Sequence, residues 1–286
     1  MIPNVGLIFS VAILGAACMN VHAAPSILVH GHRGARALRP ENTIPAFRYA
    51  IEAGVDTLEL DMAVTKDGVL VISHDPVLEP PVCNGFPGQK AVIHTLTLDQ
   101  VREWDCGKTQ NPLFPKQQAI PGTRMPTLDE VFDLAPLGTF DFNIETKIFA
   151  EKPDYAPTPE EFVRLVLACV RKNKLERRVI LQSFDFRTLV AMKSIAPEIR
   201  TSALITGQPR DFVAVAQEAK ADIISPQFAI VTPEQVAAAH RAGIQVVPWT
   251  ANEPKDWDPL IAAHVDAIIS DDPAALIAYL KAKHLH

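Results

Sequence analysis

Residues 158–205 read TPEEFVRLVLACVRKNKLERRVILQSFDFRTLVAMKSIAPEIRTSALI, and the order of patterns within them decides the fold. Thr158-Pro159-Glu160-Glu161 sets an N-cap before a proline and an acidic first turn, so a helix starts here and runs over 159–172. A β-branched, apolar run over 179–183 follows, then helical periodicity over 186–195, then a second strand-like run over 201–205. Alternation of this kind means parallel strands joined by crossover helices. The rhythm extends outward in both directions. Further strand-like runs occupy 27–32, 57–64, 69–74, 140–147, 222–225, 245–249 and 267–270, with helix candidates near 43–53, 127–135, 209–219, 232–242, 256–263 and 273–283. Thr232-Pro233-Glu234-Gln235 repeats the same start signal. About eight such units fit a closed (β/α)8 barrel better than an open doubly wound sheet. Neither GxGxxG nor a Walker loop occurs, which points the same way.

One stretch breaks the rhythm. Residues 76–126 hold 8 of the chain's 24 prolines and little periodicity, so they read as an insertion after an early strand, over the barrel mouth. Cys83 and Cys106 flank its Pro-rich part. The segment 5–17 is apolar apart from Ser10 and is followed by the small-residue pattern Val21-His22-Ala23-Ala24. Residues 1–24 therefore read as a secretory signal, with residues 25–286 as the barrel domain and a periplasmic or secreted location. No stable membrane span is expected once the signal is removed. An exported chain meets oxidising conditions, so Cys83 is expected to pair with Cys106. Cys169, inside the apolar pattern Phe162, Val163, Leu165, Val166 and Val170, is expected to be a buried free thiol. With 33 Asp and Glu against 27 Lys and Arg, a net charge of -6 and no block of like charges, binding to nucleic acid through a basic surface has no support.

In a parallel barrel, function gathers at the carboxyl ends of the strands. The first strand ends in Gly31-His32-Arg33-Gly34, and the second contains Leu58-Glu59-Leu60-Asp61. A following segment ends in Ser73-His74-Asp75, and the next barrel strand carries Asn143-Ile144-Glu145-Thr146-Lys147. Glu59 and Asp61 are two apart and share a strand face, with Leu58, Leu60 and Met62 on the other; Asn143, Glu145 and Lys147 likewise share one. Carboxylates this close cannot all stay ionised without a partner. A hard cation, Ca²⁺ or Mg²⁺, suits oxygen ligands, while the lack of HExxH or a Cys/His spacing argues against zinc. Solvent-facing positions paired with Arg or Lys are the plainer alternative for each acid. His32 and His74 suit acid/base chemistry near neutral pH. Arg33 and Lys147 at the same rim suit a phosphate.

His32-Arg33-Gly34, Pro40-Glu41-Asn42-Thr43, Gly54-Val55-Asp56, Glu59-Leu60-Asp61, Thr65-Lys66-Asp67-Gly68 and His74-Asp75, in this order and spacing, resemble the glycerophosphodiester phosphodiesterase family. The likeness continues through Asn143 to Lys147, Gln182-Ser183-Phe184, Trp249-Thr250-Ala251-Asn252 and Ile269-Ser270-Asp271-Asp272-Pro273, and covers residues 27–283. The resemblance implies a TIM barrel with an inserted subregion that hydrolyses small-molecule glycerophosphodiesters to sn-glycerol 3-phosphate and an alcohol. It implies Glu59, Asp61 and Glu145 as ligands of one divalent cation and His32 and His74 as the acid/base pair. Arg33 and Lys147 match phosphate-binding positions, and Trp249 matches an aromatic at the pocket wall. Glu41 falls either to the metal's outer shell or to the substrate, unless with Asn42 it only caps the helix beginning near Thr43. His30 is given no catalytic role. Phospholipase D-like enzymes acting on choline lipids share the histidines and carboxylates, but this chain has no evident membrane-binding face. A non-catalytic envelope binding protein is the reading from outside enzymes.

Overall fold

The computed structural model of the chain describes Met1, residues 26–85 and residues 90–286. The expected export segment, after its first residue, lies outside the described residues. Eleven strands follow one another among those described: β1 (Leu28–Gly31), β2 (Thr57–Val64), β3 (Leu70–Ile72), β4 (Val77–Leu78), β5 (Ala91–Val92), β6 (Asp141–Thr146), β7 (Val179–Ser183), β8 (Arg200–Ile205), β9 (Ile223–Pro226), β10 (Gln245–Val246) and β11 (Ala267–Ser270). The helices are α1 (Ile44–Ala53), α2 (Leu98–Val101), α3 (Leu128–Phe132), α4 (Pro159–Asn173), α5 (Phe186–Ile195), α6 (Phe212–Ala219), α7 (Pro233–Arg241), α8 (Pro254–Ala262) and α9 (Pro273–Ala282).

Parallel pairing in the order β10-β9-β8-β7-β6-β2-β1-β11 builds the barrel wall. The ring closes through the amides of Asp266, Ile269 and Ala251, which donate to Val246, Pro248 and Ile269 carbonyls at 3.0 Å, 3.0 Å and 3.1 Å. This is the expected (β/α)8 barrel. Strand β10 stops at Val246 rather than running to 249 because Pro248 has no N–H for the ladder. The start signals act as read. Thr158 and Thr232 cap α4 and α7 by accepting from Glu161 and Gln235 amides, and Asp211 caps α6, which delays its start to Phe212.

All eight residues of β2 are buried, because helices cover the outer face and side chains fill the interior. Leu58, Leu60 and Met62 join Phe47, Phe142, Phe162 and Phe212 in the layer between wall and helices. Each such side chain contributes about 1.5–3 kcal/mol relative to exposure. The alternate residues, Glu59 and Asp61, point into the mouth.

The segment 69–74 differs from its neighbours. Its strand β3 pairs antiparallel with β2, Met62 against Ile72 and Val64 against Leu70, and adds no stave to the barrel. Strand β2 outruns the rim, turns at Thr65 to Gly68 and comes back, so that His74 arrives beside Asp61. His74 therefore follows an antiparallel strand rather than ending one of the parallel series. The expected insertion is better ordered than its composition suggests. It holds the β4–β5 hairpin, α2 and a small core of Leu78, Ile93, Val101, Trp104 and Met125 against Ala63 and Val71. Cys83 and Cys106 form a disulfide inside this core. The thiol of Cys169 is free as expected but only half-buried. It sits at the flank of α4 beside Asp129, and burial together with that carboxylate pushes the thiol up to about 12.

Candidate active site

Register brings the acids together. Strands β2 and β6 are parallel neighbours in which Asp61 faces Glu145 and Glu59 faces Asn143. One oxygen from each of Glu59, Asp61 and Glu145 can be chosen so that all lie within 4.8 Å of one another, and the three residues are buried. Each is held by named donors. Gln182 Nε2 donates to Glu59 Oε1 at 2.6 Å and the Arg33 amide to Glu59 Oε2 at 2.9 Å. Asn42 Nδ2 donates to Asp61 Oδ2 at 2.9 Å, with Arg33 Nε 3.3 Å from the same atom. Lys147 Nζ donates to Glu145 Oε1 at 2.8 Å and stands 3.7 Å from Asp61 Oδ1.

The amide of Arg33 reaches Glu59 because the chain after β1 turns sharply. Arg33 has φ 49° and Gly34 φ 83°, the left-handed region. A Cβ on Gly31 would fall 2.3 Å from the Gly34 carbonyl oxygen, so this turn requires glycine. Glu41 accepts from Arg33 Nη1 at 2.5 Å, and Thr43 rather than Glu41 or Asn42 caps α1. Both rim cations are thus already paired with carboxylates.

Burial and the neighbouring Asp61 carboxylate push Glu59 well above the usual range, and Glu145 is raised for the same two reasons against the pull of Lys147. At Asp61 burial also acts upward, but His74, Arg33, Lys147 and the Asn42 hydrogen bond outweigh it and hold the carboxyl below its ordinary value. Five carboxylates are buried at this mouth; Asp271 is met by Arg36, and the other four (Glu41, Glu59, Asp61, Glu145) face two buried cations (Arg33, Lys147), which leaves two negative charges without partners. Buried charges in this position take up protons or a cation. Oxygen donors and a deficit of two positive charges fit a hard divalent ion such as Ca²⁺ or Mg²⁺.

His32 lies against this cluster, with Nε2 3.9 Å from Glu59 Oε2. Its Nδ1 meets Asp271 Oδ1 at 2.6 Å. An ionised carboxylate only accepts, so the neutral ring carries its proton on Nδ1 and leaves the Nε2 lone pair facing the acids. Burial lowers the imidazole to about 4 despite the opposing pull of Asp271. Asp271 is itself fixed by Arg36 Nε at 2.6 Å and Asn252 Nδ2 at 2.8 Å. Although burial acts upward, His32 and Arg36 hold its carboxyl low. His74 is one-third exposed, with Nδ1 2.9 Å from Asp75 Oδ1.

A pocket of about 110 Å³ is lined by His32, Arg33, Glu59, His74, Glu145 and Trp249 among others. Trp249 anchors its indole on the Ser225 carbonyl at 2.9 Å and packs edge-on against Phe184. The residues singled out in the sequence meet at this mouth, Lys147 and Glu41 through their ion pairs. His30 lies deeper, buried with Nδ1 unpartnered, and burial lowers it to about 3. Asp271 and Gln182, which the sequence places in family-like runs without a role, and Asn42, which it offers only as a helix cap, are further residues of the site. The signal for Asp271 is a carboxylate at the end of the last strand. It becomes informative only once β11 is known to pair with β1, Gly31 against Ser270.

The model of the glycerophosphoryl diester phosphodiesterase family matches residues 32–275. A glycerophosphodiester phosphodiesterase of Caldanaerobacter subterraneus subsp. tengcongensis is 33% identical over 250 residues, covering 87% of this chain and 96% of that one. A solved structure from Silicibacter pomeroyi DSS-3, assigned to the glycerophosphoryl diester phosphodiesterases, is 31% identical with TM-score 0.85, over 91% of this chain and 95% of that one. A phosphodiesterase of Oleispira antarctica, solved with its product sn-glycerol-3-phosphate, shares the fold at TM-score 0.76 and 22% identity, over 90% and 97% of the two chains. With the match spanning the barrel and the mouth assembled as described, the chain belongs to the glycerophosphoryl diester phosphodiesterase family and is a phosphoric diester hydrolase.

Proposed function

We propose that this enzyme hydrolyses glycerophosphodiesters to sn-glycerol 3-phosphate and an alcohol by His32/His74 acid-base catalysis through a cyclic phosphate. The observation that carries the reading is the meeting of three buried carboxylates with two imidazoles at one small pocket. Glu59, Asp61 and Glu145 would hold one divalent cation, whose chemistry when bound is to neutralise charge growing on the phosphoryl oxygens.

The chain's own residues do the rest. His32 presents a lone pair at Nε2 and takes the proton of the glycerol 2-hydroxyl, which attacks phosphorus within the same molecule. Asp271 stabilises the imidazolium that results and keeps the ring in the productive tautomer. His74, on the solvent side of the pocket, protonates the departing alcohol oxygen. The two exchange roles when water opens the cyclic phosphate. Arg33 and Lys147 hold the carboxylates in place and offer positive charge to the phosphate, with Glu41 aligning the Arg33 guanidinium. Trp249 walls the glycerol side. The Cys83–Cys106 disulfide and the apolar segment 5–17 support an exported enzyme, periplasmic or secreted.

A diester whose glycerol lacks the 2-hydroxyl is expected to resist turnover. Normal hydrolysis of it would mean direct attack by water instead. Asp271→Asn is expected to lower kcat by about 10²-fold with KM within about twofold, because the partner base is lost and substrate contacts are kept. A matching fall in thermal stability with kcat unchanged would make Asp271 a packing residue only.

A further inference from the structure

Beside the catalytic pocket, over the ends of β6, β7 and β8, lies a second concavity of about 670 Å³. Phe184 and Leu204 line both, so the two share a wall. The catalytic pocket alone, at about 110 Å³, falls below the roughly 300–1,000 Å³ that encloses a drug-sized ligand. It has room for the phosphoryl group and glycerol but not for a bulky second substituent. On the opposite flank the inserted region is packed down on the loop after β1. Gln117 Nε2 donates to the Arg36 carbonyl at 2.7 Å, the Gln118 amide donates to the Leu38 carbonyl, and Arg36 lies over the Phe114 ring. The void between the insertion and the Pro40-Glu41 turn is only about 10 Å³. Among the described residues, the open way out of the pocket therefore leads toward β7 and β8.

We propose that this groove is the subsite for the departing alcohol, and that it favours alcohols carrying an ammonium group over anionic ones; this rests on the phosphodiesterase reading above. Phe149, Phe184 and Phe186 stand among its apolar lining residues, and aromatic rings attract a desolvated cation. The two guanidiniums of the groove are already taken. Asp185 accepts from Arg187 Nε at 2.8 Å and from its Nη2, and Glu218 accepts from Arg210 Nη2 at 2.7 Å. Asp185 also caps α5 through the Arg187 amide at 3.1 Å, so a carboxylate already occupies that helix start. Glu151 is exposed and makes no ion pair with any described residue, while its neighbour Lys152 places its ammonium over the Tyr155 ring. Three carboxylates against two guanidiniums leave the groove negative. That sign repels a carboxylate-bearing alcohol and attracts an ammonium.

The test is kcat/KM of the purified enzyme, with divalent cation supplied, on three diesters: glycerophosphocholine, glycerophosphoglycerol and the glycerophosphodiester of glycolate, whose alcohol carries a carboxylate and no ammonium. The choline ester is expected to exceed the glycolate ester by on the order of tenfold. Phe149→Ala and Glu151→Gln, neither of which lines the catalytic pocket, are each expected to lower kcat/KM for the choline ester roughly three- to tenfold. Glycerophosphoglycerol should stay within about twofold of its starting value in both variants. Glu151 is exposed, so its variant reports on the groove even if the Phe149 variant folds poorly. Equal rates on the three esters, or variants that shift all three by one factor or none of them, would overturn the subsite. An enzyme that turns over no diester at all would instead overturn the reading beneath it.

Discussion

Dialysis against EDTA is expected to take turnover of glycerophosphocholine to background, a loss on the order of 10²-fold or more, and Ca²⁺ or Mg²⁺ to restore it. The expectation follows from charge. Apart from Asp271, which Arg36 meets, the mouth buries four carboxylates and two cations, and the excess must be met by protons or by a metal. In the metal-free protein the raised values of Glu59 and Glu145 mean that both hold protons more tightly folded than unfolded. Stability from this source is full below the ordinary glutamate range and is lost as pH rises through the folded values. A divalent ion reverses that trend, so its addition at neutral pH is also expected to raise Tm. The linkage contribution is about 2.7 kcal/mol at a hundredfold excess over Kd. Turnover that ignores the chelator, together with a melting curve that ignores the ion, would remove the metal from the mechanism.

His32→Ala and His74→Ala are each expected to lower kcat by roughly 10²- to 10⁴-fold, the usual worth of a positioned general acid or base. The two losses should differ in character. His32 is buried and bonded to Asp271, so its removal also leaves that carboxylate without a partner and should lower Tm. His74 is one-third exposed and bonded to its sequence neighbour, so its removal should leave Tm nearly unchanged. Activity within about tenfold of wild type in either variant would take that histidine out of the chemistry.

The barrel was legible because its signals are local. Proline-and-acid helix starts at Thr158 and Thr232, alternating apolar runs and the two-residue spacing of Glu59 and Asp61 are all readable within a few positions. The carboxylate meeting was half legible: Glu59 and Asp61 share a face by strand periodicity, but only the β2–β6 register sets Glu145 beside them. Asp271 was not legible as the partner of His32, since 239 residues separate them and ring closure alone joins them. The direction of β3 was hidden for a similar reason. An apolar run announces a strand without saying whether it joins the parallel wall or folds back along its predecessor. The small core of the insertion escaped notice because prolines and a disulfide, rather than periodicity, order it.

The doubling back of β2 into β3 isolates the barrel from whatever is spliced into it. Downstream of the fold-back the chain rejoins the same short ladder, with the Ile72 amide donating to the Pro126 carbonyl and Val71 bridging Thr127. Departure and return are thus stapled within a few ångströms of each other. Length can therefore drift between the two staples without moving the ends of the segment, provided the contacts onto Ala63, Val71 and Arg36 are kept, and the His74 ring keeps its aim.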